Sequence, residues 1–196
     1  MYPTELALFP LNTVLYPGGP LRLRLFERRY LDMVRDCSRD GTPFGVCQIL
    51  AGADAGAPAR SASVGTSATI TDFYTMEDGL LGISCVGGRR FHVERVRARD
   101  SGLLIGDVSW WDDESQCKLP SEHAPLASIL RQLLLDYQDL YGLPDERMLE
   151  DASFVSFRLA ELLPRMSRDE QQVLLETHSP IERLLQLTAI LPRYAD

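Results

Sequence analysis

Lysine is almost missing from this sequence: the 196 residues hold one, Lys118, against 19 arginines. A loop that cradles nucleotide phosphates needs Gly-Lys-Ser/Thr, whereas Lys118 stands in Gln116-Cys117-Lys118-Leu119-Pro120. That excludes nucleoside triphosphatase chemistry, and a lone lysine on a link is a poor partner for a Ser-Lys hydrolase. The arginine excess reads as coding bias, and no function is attached to it. Histidine is scarce as well. His92, His123 and His178 include no His-Glu-x-x-His pair, so a metallohydrolase is not expected. Cys37, Cys47, Cys85 and Cys117 stand singly, without the short spacings of zinc sites, and read as buried thiols or ordinary surface residues.

Missing too are a basic leader ahead of an apolar run and any stretch near the roughly 18 uncharged apolar residues that span a bilayer. The expected setting is the cytoplasm, with no membrane partner. Positive charge is short in bulk: 28 acids against 20 bases leave a net charge of -8. Diffuse attraction to phosphate backbones is therefore not supplied by the chain as a whole. The acids Asp112, Asp113 and Glu114 read as a hydrated turn rather than a cation site. Tyr16-Pro17-Gly18-Gly19-Pro20 is too short and proline-rich for a phosphate loop, and reads as a tight turn between strands. No cofactor and no metal are expected.

What is present is a folding sequence, 45% hydrophobic and 24% charged, long enough to bury roughly two thirds of its unfolded surface. From Glu5 to about Trp111 the apolar pattern has period two, which predicts strands over 5–9, 21–25, 44–50, 65–74, 80–86, 89–96 and 103–110. Leu21-Arg22-Leu23-Arg24-Leu25 is the clearest of them, with leucines on one face and arginines on the other. One helix interrupts, carrying Phe26, Tyr30, Met33 or Val34, and Cys37 on one face and stopping at Gly41. The small, apolar-poor stretch from Ala51 to Arg60 predicts a surface loop.

Beyond the acidic triplet the period becomes 3.6. Pro120 and Pro125 precede a helix expected to run to about Tyr141, ended by Gly142-Leu143-Pro144. Ser167-x-x-Glu170 and Ser179-Pro180-x-Glu182 match the capping box and open two more helices. Apolar faces are expected from Phe154, Phe157, Leu159, Leu162 and Leu163, from Val173 and Leu174, and from Ile181, Leu184, Leu185, Thr188 and Ile190 or Leu191. The fold class is α+β, divided into a β-barrel subdomain over 1–115 and a helical bundle over 116–196. The one basic cluster, Arg89, Arg90, Arg95, Arg97 and Arg99, is compatible with RNA, although solvated strand faces paired with acids are the plainer reading.

The order of segments resembles a known family. Leu8-Phe9-Pro10-Leu11-Asn12-Thr13-Val14-Leu15-Tyr16-Pro17-Gly18 is similar to the opening of the amino-terminal domain of Lon proteases. Leu23 to Tyr30, Val64-Gly65-Thr66-Ser67-Ala68-Thr69-Ile70 and Val86-Gly87-Gly88-Arg89-Arg90-Phe91 resemble segments that follow it there. Leu162-Leu163-Pro164 and the run Gln172 to Leu187 resemble the closing bundle more loosely. The resemblance implies a PUA-like β pseudo-barrel with one inserted helix, followed by a C-terminal helical bundle. It also implies a free-standing, non-catalytic module that holds unfolded or tagged polypeptide, works with a protease complex and self-associates. The ATPase and Ser-Lys protease of Lon are not carried over, because the chain stops at Asp196. Tyr16, Phe26, Tyr30, Phe73, Tyr74, Trp110 and Trp111 are the candidate anchors for polypeptide, expected near the junction of the halves, with Phe26 and Tyr30 read as core. Nucleic acid is the second reading, since PUA-like barrels often bind RNA. A small-ligand or hydrolase pocket is a third, with no residues to name for it.

Overall fold

The computed structural model describes residues 3–50, 60–143 and 145–194. The loop expected from Ala51 thus falls, Arg60 apart, outside the described residues. The chain divides into two compact units, Met1–Asp112 and Asp113–Asp196. The first contains β1 (Glu5–Leu11), β2 (Pro20–Leu25), α1 (Arg28–Asp40), β3 (Phe44–Gln48), β4 (Val64–Thr75), β5 (Leu81–Ala98) and β6 (Leu104–Trp110). Strand order is β2-β5-β4-β3-β1-β6, and a further pairing of β5 with β6 closes five strands into a circuit. That is the expected barrel in part: β2 lies outside the circuit, and among the described strands it pairs with β5. The β1–β3 pair is parallel and the others are antiparallel.

Alternation along β1 feeds two cores. Leu6 and Leu8 pack with Cys47, Phe91 and Val108, while Phe9 packs with Tyr30, Met33, Val34, Phe44 and Ile83 beneath α1. Successive strand side chains point to opposite faces, so a strand apolar on both is covered on both. Each such side chain contributes about 2 kcal/mol by leaving water. α1 turns Tyr30, Met33, Val34 and Cys37 inward and stops at Gly41, whose φ of 64° suits glycine. The helix begins at Arg28, so Phe26 precedes it and is 67% exposed, not core as the spacing implied.

The two strands expected over 80–86 and 89–96 are one, β5, which continues through Gly87-Gly88 with a shift of register against β4 there. These glycines permit close approach rather than a turn. A Cβ on Gly87 would lie 2.1 Å from the carbonyl oxygen of Tyr16. The Tyr16–Gly19 turn docks there: the Gly18 amide donates to the Gly87 carbonyl at 2.7 Å and the Gly87 amide to that of Gly19 at 2.8 Å. With Pro17 followed by Gly18 at φ 71°, the turn has the proline-then-glycine form that positive φ demands. Thr66 Oγ1 donates to the Leu15 carbonyl at 2.6 Å and fixes the approach to it.

The second unit contains α2 (Ala124–Asp136), α3 (Gln138–Tyr141), α4 (Glu146–Leu149), α5 (Ala152–Leu162), α6 (Arg168–Glu176) and α7 (Pro180–Ile190), with 3-10 turns at Ser121–His123 and Leu191–Tyr194. The single helix expected to Tyr141 is broken at Tyr137, whose ψ of 27° leaves the helical region. α5 is central, buried around most of its circumference and in contact with α2, α4, α6 and α7. Its cap, the Asp151 carboxylate accepting from the Phe154 amide at 2.8 Å, has no counterpart in the sequence reading. Ser167 and Glu170 form the full reciprocal capping box, and Ser179 Oγ accepts from the Glu182 amide at 3.3 Å, with Pro180 in the first turn. The inward stripe of α7 differs from the expected one. Arg183, Leu184 and Leu187 are buried, and Leu185 is 57% exposed. Val173 on α6 likewise faces out, leaving Leu174 and Leu175 inside.

Candidate functional site

The candidate aromatics are not gathered into one surface. Tyr16 and Tyr30 are buried, Tyr30 meeting Phe9 edge to face. Phe26 and Phe73 are exposed, Phe73 opposite Ile83 on the outer part of β4. Tyr74 lies across Gly82, where a Cβ would fall 2.2 Å from its ring. Trp110 is half-buried: its Nε1–H donates to the Pro3 carbonyl at 2.7 Å and its ring meets Phe91 edge-on at 5.8 Å. Trp111 is half-buried too, with the Arg90 guanidinium 4.8 Å above its ring.

The arginine cluster is spread over both faces of β5. Arg90 is buried, and Arg89 lies 3.9 Å from Asp112. Arg97 is held between Glu5 at 2.8 Å and Asp107 at 3.0 Å. Arg95 and Arg99 are exposed. Much of the positive charge counted in the sequence is thus tied to carboxylates or laid on an indole, which takes it from the field an RNA backbone would meet.

Three polar side chains of the first unit lie together among the described residues. His92 Nδ1 sits 3.2 Å from Glu94 Oε1, and Ser109 Oγ donates to the same oxygen at 2.7 Å. Ser109 and then His92 hold the Glu94 carboxyl below its ordinary range. A serine that gives its proton to a carboxylate is not activated by the imidazole, so these three residues make no nucleophile. Burial pushes the Cys47 and Cys85 thiols up to about 12, which keeps them protonated and inert. No group of three His, Cys, Asp or Glu side chains that could hold a metal occurs among the described residues.

The helical unit carries a different feature, a groove of about 460 Å³. Ile129 and Leu133, one turn apart on α2, form one wall; Leu163 and Pro164, which follow α5, form its floor; Leu191 and Pro192 close the far side beyond α7. Among the described residues Thr188 is the one polar side chain on the wall, and its hydroxyl donates to the Leu184 carbonyl at 2.8 Å. The described residues of its lining include no titratable group, and what they offer is apolar contact. The sequence reading missed it. Ile129 and Leu133 have helical spacing, which signals an apolar face but not whether that face is covered.

Comparison with known proteins then fits this chain to a family. The model of the ATP-dependent protease La (Lon) substrate-binding domain matches residues 5–193. This chain belongs to that family. A crystal structure of a Lon N-terminal domain protein from Xanthomonas campestris shares 45% identity, covers 95% of this chain and 98% of its own, and superposes with a TM-score of 0.79. The N-terminal domain of a Mycobacterium avium complex Lon protease, at 17% identity, covers 94% of this chain and 96% of its own with a TM-score of 0.65, and so shares the fold. Two of the segments that carried the resemblance meet in this structure: Leu8 to Gly18 leads β1 into the docked turn, and Val86 to Phe91 is the stretch of β5 that receives it. No helix of the described residues is long and apolar enough to cross a membrane.

Proposed function

We propose that this Lon-type domain is a non-catalytic, cytoplasmic module that holds unfolded or tagged polypeptide, in the service of a protease complex. The observation that carries the reading is the family match over residues 5–193, to a substrate-binding domain. The geometry supports it. A groove lined by apolar side chains suits groups that a folded protein would bury, and Phe26 and Phe73 add exposed aromatic surface on the first unit. Half-buried Tyr74, Trp110 and Trp111 are secondary candidates, whereas Tyr16 and Tyr30 act through the core.

The test is fluorescence anisotropy of a labelled unfolded polypeptide and of a labelled single-stranded RNA, each titrated with the protein at low and physiological salt. Binding of the polypeptide that persists in salt is the expected result. Binding of RNA alone, steeply weakened by salt and lost with Arg95→Ala and Arg99→Ala, would transfer the function to nucleic acid. Turnover of generic peptide, ester or phosphate substrates by purified protein would overturn the non-catalytic reading.

A further inference from the structure

We infer that β2 is the edge on which an extended polypeptide is held, added to the sheet as an antiparallel strand; this rests on the polypeptide-recognition reading and says how the chain is gripped. Backbone direction decides which groups are on offer. The Gly87 amide donates to the Gly19 carbonyl and the Gly87 carbonyl accepts from the Gly18 amide, so the polar groups of Gly87 point to the β2 side. By alternation Cys85, Ile83 and Leu81 point the same way, opposite Leu21, Leu23 and Leu25 in an unbroken register. Ser84 points the other way, its carbonyl accepting from Thr71 Oγ1 on β4 at 3.1 Å. The amides and carbonyls of Arg22 and Arg24 are therefore turned to the outer edge of β2, where no strand among the described residues pairs with them. Pro20 belongs to the same alternate set, and its missing amide costs the ladder to β5 nothing. Donors and acceptors repeating at every second residue are the complement of an extended backbone.

Side chains then select the occupant. Leu23 and Leu25 are buried, whereas Arg22 and Arg24 are exposed on the other face of β2. Arg24 is paired with Asp78, and Arg22 has no acid beside it among the described residues. In an antiparallel pair the residue directly opposite shares a face, with Cβ atoms about 5 Å apart, so an acid there meets the Arg22 guanidinium. A second copy of this chain is the poorer occupant. Two β2 edges laid antiparallel bring the arginines of one copy against those of the other, and like charges directly opposite destabilise. The occupant is thus an extended segment with acids at alternate positions.

The experiment uses the full chain and a short fluorescein-labelled peptide of alternating glutamate and valine, read by anisotropy. In antiparallel addition the glutamates lie opposite Arg22 and Arg24 and turn their amides to β2. N-methylation of the glutamate amides is expected to weaken binding by about tenfold or more, and N-methylation of the valine amides, which face away, by less than about twofold. Equal effects of the two, or the reverse order, would overturn the pairing. Arg22→Pro removes an outward amide and leaves the ladder to β5, so a similar loss is expected with the tryptophan unfolding midpoint kept. Arg22→Glu, at an exposed position, asks the same question without touching the backbone: it should turn the preference to a peptide of alternating lysine and valine, and an unchanged preference would overturn the charge selection. Binding of a long unfolded polypeptide untouched by either variant would overturn the edge while leaving polypeptide recognition standing. No binding of that polypeptide to the wild-type protein would remove both readings. A wild-type dimer in light scattering that Arg22→Pro converts to monomer would assign the edge to a second copy and overturn the proposal.

Discussion

The two units bury polar groups differently. In Met1–Asp112 the fully buried large side chains are Tyr16, Phe44, Phe91 and aliphatics, and the chief ion pairs, such as those of Arg97, lie on the outside. In Asp113–Asp196 the largest fully buried side chain is an arginine. Arg183 donates to both oxygens of Glu114 at 2.7 Å, to Ser156 Oγ at 2.9 Å and to the Thr177 carbonyl at 2.8 Å, with the Phe157 ring 3.7 Å away. The difference follows from backbone accounting. Strands close their hydrogen bonds in ladders, whereas short helices leave carbonyls and connecting segments without regular partners. A guanidinium, with five donors in a rigid fork, joins α5, α7, the α6–α7 connection and the segment after Asp113 at one point. Arg158 and Glu161 repeat the motif nearby, and there burial outweighs the pull of Arg158, raising the Glu161 carboxyl above its ordinary range.

Chemical contrast comes first. Thiols pushed up to about 12 leave Cys47 and Cys85 almost wholly protonated at pH 8, roughly one thiolate in ten thousand. Mass spectrometry after alkylation should therefore find Cys117 labelled in the native protein and all the cysteines labelled once it is unfolded. Native labelling of Cys47 at pH 8 would mean that the barrel opens.

Gly65→Val is the next largest. A Cβ there would lie 2.4 Å from the Val46 carbonyl oxygen, so the backbone itself must move, at an expected cost above about 3 kcal/mol. Both tryptophans of the chain, Trp110 and Trp111, belong to the first unit. Tryptophan emission during denaturant unfolding should thus report this loss, and an unchanged midpoint would refute the packing account.

Glu114→Ala strips the buried arginine of its counter-charge, and about 3 kcal/mol should be lost, read by circular dichroism at 222 nm. Replacing Glu114 and Arg183 together by leucine should restore much of it, since no buried charge is then left alone. A double variant no better than Glu114→Ala would show that the pair stabilises by more than mutual compensation. Ser167→Ala, which removes one half of the capping box, should cost about 1 kcal/mol on the same signal. Smallest of all, Arg97→Ala on the barrel surface should leave the tryptophan transition within error at physiological salt, because its pairs with Glu5 and Asp107 are solvated.

Much of the fold was legible because local rules agreed. Alternation located β1, β2, β3, β4 and β6, the glycine at 41 stopped α1, and the Ser167 box opened α6. The misses share a cause. Gly87-Gly88 looks like a break, but glycine also permits close approach, and only the docked turn shows which applies. Phe26 and Leu185 have helical spacing yet face solvent, and Arg183 takes a core position that a hydrophobic pattern cannot assign to a charge. The candidate anchors fared similarly. Aromatic identity is plain in a sequence, but whether Tyr16 is sealed or Phe73 exposed depends on strands far apart along the chain.

By itself, the sequence determined the α+β class, the change of period that marks the second unit, the turn at Tyr16–Gly19 and the resemblance to Lon domains, because each rests on spacing between near neighbours. The tertiary structure alone decided that five strands close while β2 stays outside, that Glu114 and Arg183 meet across 69 positions, and that Ile129 and Leu133 border an open groove. Those outcomes depend on which distant surfaces cover one another, and a hydrophobic period records that a face is apolar without recording what, if anything, comes to cover it.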